Sequence, residues 1–206
     1  MSLKKVYLVL VSIIVLVSLP GIAYASYSVA AKDAETQEWS YGTFGWNYVM
    51  ATPTITSQHV SSLYVLWDFY NAAEVGWYRE AGASSARFFA AWMDNGWYSE
   101  VDLGNAPAGT NHYYTVRNVT GTTNWRFYVD GVFKYEKLLH FERGTSLASS
   151  ERNRLDETNY SHFWGLETRT YDGIWDDWFS LVEFLDSDPG YRLKPITNTE
   201  CEMVAG

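Results

Sequence analysis

The chain has almost no cysteine. Cys201, close to the C-terminal end, is the only one in 206 residues. No disulfide can therefore form within one chain, and the core must be held by packing alone. The thiol has two interpretations: a tail residue without a role, which we favour, or an intermolecular disulfide in an oxidising compartment.

Motifs for metals and nucleotides are also missing. The four histidines lack the close spacing of zinc ligands, and one cysteine cannot complete such a site. The sequence has no glycine loop of the kind that holds phosphate, and no Gly-x-Ser-x-Gly turn that presents a nucleophilic serine. We therefore predict no metal and no cofactor. A serine and histidine site stays open, although no pattern marks one.

Basic residues are in the minority. The chain has 15 Lys and Arg against 24 Asp and Glu, which gives a formal net charge of −9. A surface with this balance repels phosphate backbones. The composition therefore argues against nucleic acid as a partner.

The one long apolar run lies at the N-terminus. It covers residues 6–19, follows two lysines and precedes Ala-Tyr-Ala at residues 23–25, a small-residue pattern for signal-peptidase cleavage. A run of about 14 apolar residues is short for the roughly 20 that cross a bilayer. This favours a cleaved signal peptide at residues 1–25 over a retained membrane anchor. We predict a secreted, extracellular protein with a flexible leader at residues 26–38 and a single domain at residues 39–206.

Aromatic residues are abundant and fall in short alternating runs. The chain holds 10 Trp and 16 Tyr, and Gly, Asn, Asp and Ser separate the runs, which is typical of strands joined by tight turns. The pairs Asn95-Gly96, Asp130-Gly131 and Asp172-Gly173 suit the positive φ angles of a type I′ turn. Each pair predicts a β-hairpin.

These runs and turns predict an all-β domain. Seven or more short strands, without a convincing long helix, favour two antiparallel sheets packed as a β-sandwich. Residues 146–156 are the only helix candidate. They have too few apolar positions to decide between a helical turn, a loop and a strand.

Alternation in residues 74–80 separates a core face from a polar, aromatic face. Trp77 points to the core side, whereas Glu74 and Tyr78 point to the other side. Gly76 shares the polar face with Glu74, at a place where a missing side chain would admit a substrate backbone. The alternative is a structural glutamate beside a bulge.

Residues 73–78 (Ala-Glu-Val-Gly-Trp-Tyr) and the hairpin at residues 87–98 resemble the core of the neprosin family of secreted glutamic peptidases. Residues 141–151 resemble the stretch that carries the family's second catalytic glutamate. The family's usual Trp-Gly-Gly before that glutamate is replaced here by Ala-Ser-Ser. The resemblance implies a concanavalin A-like jelly roll and a catalytic pair formed by Glu74 and Glu151.

Such a pair would hydrolyse a polypeptide substrate at acidic pH. Two neighbouring carboxyl groups resist ionising together, so one stays protonated while the other acts as a base. The base would activate a water molecule, and the acid would stabilise the oxyanion or the leaving amine.

Two other functions stay open. The hairpin at residues 125–131 is similar to one in laminin-G-like and other concanavalin-type sandwiches, many of which bind sugars. The protein would then be a carbohydrate-binding, lectin-like module for a polysaccharide. A third class is a structural or adhesive exoprotein whose aromatic residues form a subunit interface.

Five residues are candidates for contact with a peptide or polysaccharide substrate. Aromatic rings stack on apolar ligand surfaces at low entropic cost, although core packing would also explain each ring. The candidates are Tyr64, Gly76, Tyr78, Trp97 and Tyr128.

Overall fold

The alternating runs form strands throughout the part of the chain that is described. The computed structural model describes residues 27–34, 39–51, 58–154, 159–186 and 190–205, and within these ranges it contains strands and no helix. The strands are β1 (Tyr27–Asp33), β2 (Gly42–Tyr48), β3 (His59–Asp68), β4 (Asn71–Arg79), β5 (Ala86–Asp94), β6 (Trp97–Ala106), β7 (Asn111–Asn118), β8 (Asn124–Val129), β9 (Val132–Leu138), β10 (Thr145–Arg152), β11 (Asn159–Arg169), β12 (Trp175–Asp177), β13 (Leu181–Asp186), β14 (Tyr191–Thr197) and β15 (Glu200–Ala205).

Two antiparallel sheets make up the domain. Sheet I has the strand order β13-β1-β10-β3-β4-β5-β6, and sheet II has the order β14-β15-β11-β2-β7-β8-β9, with β12 beside β11. This architecture confirms the predicted all-β sandwich of the jelly-roll type.

The core lies between the sheets and uses the inward positions of both. Sheet I contributes Val75 and Trp77 from β4, and sheet II contributes Trp125 and Phe127 from β8, all four without exposed surface. Burial of apolar surface stabilises a fold by roughly 25 cal/mol per Å². Large aromatic side chains therefore supply the stability that this cysteine-poor chain cannot take from disulfides.

All three predicted hairpins form, and two have the predicted turn. The pairs at residues 95–96 and 130–131 have positive φ angles at both positions, 52° and 80° in the first and 53° and 71° in the second. In the loop between β11 and β12, at residues 170–174, only Gly173 has a positive φ, of 85°. Its amide donates to the Thr170 carbonyl over 3.0 Å. The type I′ prediction at Asp172-Gly173 was therefore wrong, because the loop is longer than two residues.

Two strands of sheet I, β10 and β1, come from segments whose structure the sequence left undecided or predicted wrongly. Residues 146–152 of the undecided segment belong to β10, and residues 155–156 of that segment lie outside the described residues. Residues 27–33, within the predicted flexible leader, form β1, which pairs with both β10 and β13. Val29 and Ala31 are fully buried there. Pairing on both sides stabilises a segment whose many small residues give a weak strand pattern.

The predicted signal peptide at residues 1–25 lies outside the described residues. Among the residues that are described, no helix is long and apolar enough to span a bilayer.

Candidate active site

Glu74 and Glu151 lie on the same outer face of sheet I. Glu74 is opposite Tyr64 in the β3–β4 pair, and Glu151 is opposite Val60 in the β10–β3 pair. Val60 and Tyr64 are four residues apart on β3, and an even separation along a strand places residues on one face. Both carboxyl groups therefore project away from sheet II, whereas Val75, next to Glu74, points into the core.

Small residues separate the two glutamates. Ser62 lies between Val60 and Tyr64 on β3, opposite Ser149 of β10 and Gly76 of β4. The hydroxyl oxygens of Ser62 and Ser149 are 3.1 Å apart, and both side chains are buried. Because no large side chain rises from these three positions, space is left above them between the carboxyl groups.

The surface around the pair has the form of a hollow. Leu147, Phe89 and Ala91 project from the same face through their pairing with β3 and β4, yet each is at most 3% exposed. Glu74 and Glu151 keep an intermediate exposure. The floor is therefore shielded from solvent, while the two carboxyl groups still reach it.

The electrostatics of the hollow favour protonated carboxyl groups. Burial, and then the negative charge of Glu151, raise the pKa of Glu74 to about 8, with a smaller contribution from Glu100 and an opposing hydrogen bond to Ser62. Burial raises the pKa of Glu151 to about 7. The two groups interact, so they titrate as a pair that holds a single proton over an intermediate pH range. A pair with one proton combines an acid and a base within one site.

Two tyrosines border the pair. Tyr64 is the cross-strand neighbour of Glu74, and Tyr98 of β6 donates its hydroxyl hydrogen to Glu100 over 2.7 Å. Burial and the negative charges of Glu74 and Glu151 raise the pKa of both phenols. Both hydroxyl groups therefore stay protonated over the pH range in which the pair titrates.

Tyr98, which sequence reasoning missed, replaces Trp97 as the aromatic residue of β6 on this face. The two-residue turn at residues 95–96 pairs Trp97 with Asp94, and this register turns Trp97 to the opposite face of the sheet. It is 80% exposed there. Trp97 therefore does not lie beside the glutamate pair, and its contact with a substrate stays a prediction. The Asn95-Gly96 turn could have identified Tyr98 from the sequence, because a two-residue turn fixes which residues of β5 and β6 are paired.

Tyr128 is also placed away from the glutamates. It lies on β8 of sheet II, between Phe127 and Val129, which point into the core, so its ring faces outward from the opposite side of the sandwich. Arg117 donates to its hydroxyl over 2.9 Å. Tyr128 therefore does not belong to the glutamate face, because a hairpin pattern does not reveal which sheet the hairpin joins, and its contact with a substrate stays a prediction.

Tyr78 lies on the glutamate face, whereas Gly76 has a structural role. The ring of Tyr78 packs edge-on against Phe89, with centroids 5.8 Å apart. A Cβ at Gly76 would overlap the carbonyl oxygen of Ser61 and lie 2.7 Å from the Cα of Ser62. Close approach of β3 to β4 therefore explains this glycine without a substrate.

Cys201 lies in the core without exposed surface. Burial, with smaller contributions from Glu200 and Glu202, raises the pKa of its thiol to about 12. A buried and protonated thiol argues against the intermolecular disulfide kept as an alternative, which stays an untested prediction. Within the described ranges, no group of three His, Cys, Asp or Glu residues is arranged to hold a metal ion.

Solved structures of glutamic peptidases have this arrangement of sheets. The chain is similar to scytalido-glutamic peptidase with a peptide-based transition state analog, at a TM-score of 0.57 and 10% identity, over 88% of this chain and 98% of that one. It shares the fold of these peptidases. SCP-B, a member of the eqolisin family in complex with the tripeptide Ala-Ile-His, gives a TM-score of 0.55 and 9% identity over the same shares.

Other comparisons are weaker. A carbohydrate binding module from Bacillus subtilis, CBM66, has a TM-score of 0.41 and 10% identity over 62% of this chain and 78% of that one. No protein-family model matches the chain, and no curated protein matches it. Membership of the neprosin family thus stays a prediction.

Proposed function

We propose that the protein is a glutamic peptidase that hydrolyses peptide bonds with Glu74 and Glu151. One observation carries this proposal: two interacting carboxyl groups with raised pKa values share an open hollow on sheet I. The fold that the chain shares with glutamic peptidases adds support. Paired carboxyl groups with shifted pKa values are a recurring feature of acid and base catalysis.

In the proposed mechanism Glu151 is the base and Glu74 is the acid. When one carboxyl group of the pair is ionised, we assign that charge to Glu151, whose carboxylate removes a proton from a water molecule that attacks the peptide carbonyl carbon. Glu74 keeps its proton and donates a hydrogen bond to the developing oxyanion. Collapse of the tetrahedral intermediate breaks the C–N bond, and the proton that Glu151 took from water passes to the leaving amine, which restores the starting pair. The products are a carboxylic acid and an amine.

The raised pKa values alter the expected pH range. Well below pH 7 both carboxyl groups are mostly protonated and little base is present, whereas well above pH 8 both are mostly ionised and little acid is left. The form with one proton is thus most populated near neutral pH. We propose activity in this range, above the acidic range that the sequence resemblance implies.

A cleavage assay tests the proposal. The purified chain should cleave an unfolded protein such as reduced casein, and Glu151→Gln should reduce the rate by about 10²-fold to 10⁴-fold, as expected for loss of a general base. Glu142→Gln, at an exposed position outside the hollow, is the matched control and should cleave like the wild type. Equal cleavage by all three proteins would identify a contaminating protease. Wild-type protein that cleaves at no pH between 3 and 9 would overturn the proposal and favour a non-catalytic exoprotein.

Export is also part of the proposal. It is supported by the apolar run at residues 6–19 and the small residues before position 26. N-terminal sequencing of protein recovered from the culture medium should give a start at or near Ser26. A membrane fraction that retains Met1 would indicate an anchor.

A further inference from the structure

The central strands of sheet II have an unusual distribution of side chains. In β2 the small or polar residues Thr43, Gly45 and Asn47 point into the core and are buried, whereas Phe44 and Trp46 point outward. An antiparallel strand with one solvated face normally places its apolar side chains inward and its polar ones outward. Core packing therefore does not explain the outward aromatic residues of β2.

These outward rings continue across neighbouring strands. Trp46 is the cross-strand partner of Trp164 on β11 and of Tyr113 on β7. Ring centroids are 5.9 Å apart for Trp46 and Trp164, whose planes differ by 11°, and 4.9 Å apart for Trp46 and Tyr113. Phe44 extends the row to Trp175 of β12, 6.1 Å away. We call Phe44, Trp46, Tyr113, Trp164 and Trp175 the aromatic strip.

Carboxylates border one end of the strip. Glu167 of β11 lies opposite Phe44 on one side and opposite Asp177 of β12 on the other. Burial, and then the negative charges of Asp177 and Asp176, raise the pKa of Glu167. Like charges in direct opposition destabilise a strand pair. Carboxylate oxygens accept hydrogen bonds, so the carboxyl groups beside the rings suit a ligand that donates hydrogen bonds.

Arg169 of β11 is a basic residue at the same end of the strip, but it does not offset the negative charges of the carboxylates. Arg169 lies opposite Trp175, but it is buried and donates to the carbonyl of Asn118 and the hydroxyl of Thr120 over 3.0 and 3.2 Å. Its guanidinium group is thus occupied within the protein. The rings and the free carboxylates determine what this surface attracts.

We propose that the aromatic strip binds a neutral polysaccharide, on the side of the sandwich opposite the glutamate pair. The apolar faces of pyranose rings stack on aromatic rings, and sugar hydroxyl groups can donate to Glu167 and Asp177, which share the face of the strip. The net charge of −9 disfavours anionic glycans. The proposal is independent of peptidase activity, because the two surfaces share no residue.

A second copy of the chain is a poorer occupant of this surface. A two-fold symmetric contact centred on the strip would bring the same patch of each chain together. The carboxylates at its end would then approach a surface with the same charges, and like-charge contacts oppose association. A polysaccharide without charge avoids this repulsion.

Retention on insoluble cellulose, chitin and β-1,3-glucan tests the proposal. At least one of these polymers should retain the wild-type chain, and Trp46→Ala should weaken retention by about tenfold or more, which corresponds to the loss of one well-stacked ring. Trp97→Ala is the control, since it removes an exposed ring from the edge of sheet I. Its retention should equal that of the wild type. Trp175→Ala, at the end of the strip, provides a second variant if Trp46→Ala fails to fold.

Several outcomes would overturn the proposal. They are retention on none of the three polymers, equal loss in Trp46→Ala and Trp97→Ala, and binding only to a polylysine column that salt abolishes. A wild-type dimer that Trp46→Ala converts to a monomer would instead assign the strip to a subunit interface. Glu151→Gln should keep full retention and Trp46→Ala should keep any cleavage activity, so failure of one proposal is distinguishable from failure of the other.

Discussion

The two outer faces of this sandwich use the same alternation of strand residues for opposite purposes. On sheet I, Ser62, Ser149 and Gly76 leave space between two carboxyl groups whose ionisation is suppressed by burial and mutual repulsion. On sheet II, the outward positions of β2 hold aromatic rings that lie over small inward residues. A hollow with carboxyl groups suits a reaction, whereas a row of rings suits binding by surface contact.

The largest effect expected is on cleavage at the glutamate face. Glu74→Gln and Glu151→Gln should each reduce kcat/KM by about 10²-fold to 10⁴-fold. The double variant should be scarcely slower than the singles, because groups that act as one unit lose function non-additively. Kinetics of the four proteins on one peptide substrate check this. Losses that multiply in the double variant would show that the glutamates act separately.

The second effect concerns pH. The rate should rise as Glu151 ionises near pH 7 and fall as Glu74 loses its proton near pH 8. A bell-shaped profile of kcat/KM near neutral pH is therefore expected, and it is measured with a neutral peptide substrate. A maximum below pH 5 would show that the carboxyl groups of the hollow are far better solvated than their burial indicates.

Two glycines, one in each sheet, allow the packing of the faces to be compared. Gly76→Ala should destabilise the fold by about 1–3 kcal/mol, the usual range for overpacking, because the added Cβ meets the backbone of β3. Gly45→Ala in sheet II meets only the ends of the Leu166 and Leu63 side chains, which can shift. Its loss of stability should be smaller. Denaturant unfolding of both variants checks the order, and the reverse order would contradict the packing described here.

The smallest effect is on the pH dependence of stability. The pKa values of both glutamates are raised in the folded state, so the folded chain holds more protons than the unfolded chain between about pH 4.5 and pH 8. Stability from this pair is therefore greatest at acidic pH and is lost as the pH rises through this window.

Removal of one carboxyl group should reduce the loss of folding stability at high pH. Glu74→Gln should raise the melting temperature by about 2–4 °C at pH 8, for a gain on the order of 1 kcal/mol, and change it little at pH 4. Thermal unfolding at the two pH values measures the difference. A lower melting temperature at pH 8 would indicate a structural glutamate.

The local features of the fold were predictable because they depend on neighbouring residues. Alternation placed Trp77 in the core, and the Asn95-Gly96 and Asp130-Gly131 turns have the φ angles that their residues favour. The segment that became β10 stayed undecided, because its strand character comes from pairing with β1 and β3. Such pairing involves residues distant in sequence.

The candidate site was predictable only in part for the same reason. Alternation put Glu74 on an outer face, and a family resemblance pointed to Glu151, but their shared face depends on the register of β10 with β3. The distance of Tyr128 from the glutamates was not predictable, because its sheet is set by the pairing of β8 with β7 and of β7 with β2. The aromatic strip combines residues from four strands, and no local pattern joins them.

Direct titration of the Glu74 carboxyl group tests the central claim that Glu74 and Glu151 form one interacting pair. Carbon-13 NMR of side-chain carboxyl groups, in the wild type and in Glu151→Gln, follows this ionisation without any substrate. Glu74 should titrate near pH 8 in the wild type, because burial and Glu151 both raise its pKa. It should titrate at a lower pH in Glu151→Gln, where one of these causes is removed. A wild-type value near the ordinary 4.5, or the same raised value in both proteins, would contradict the account.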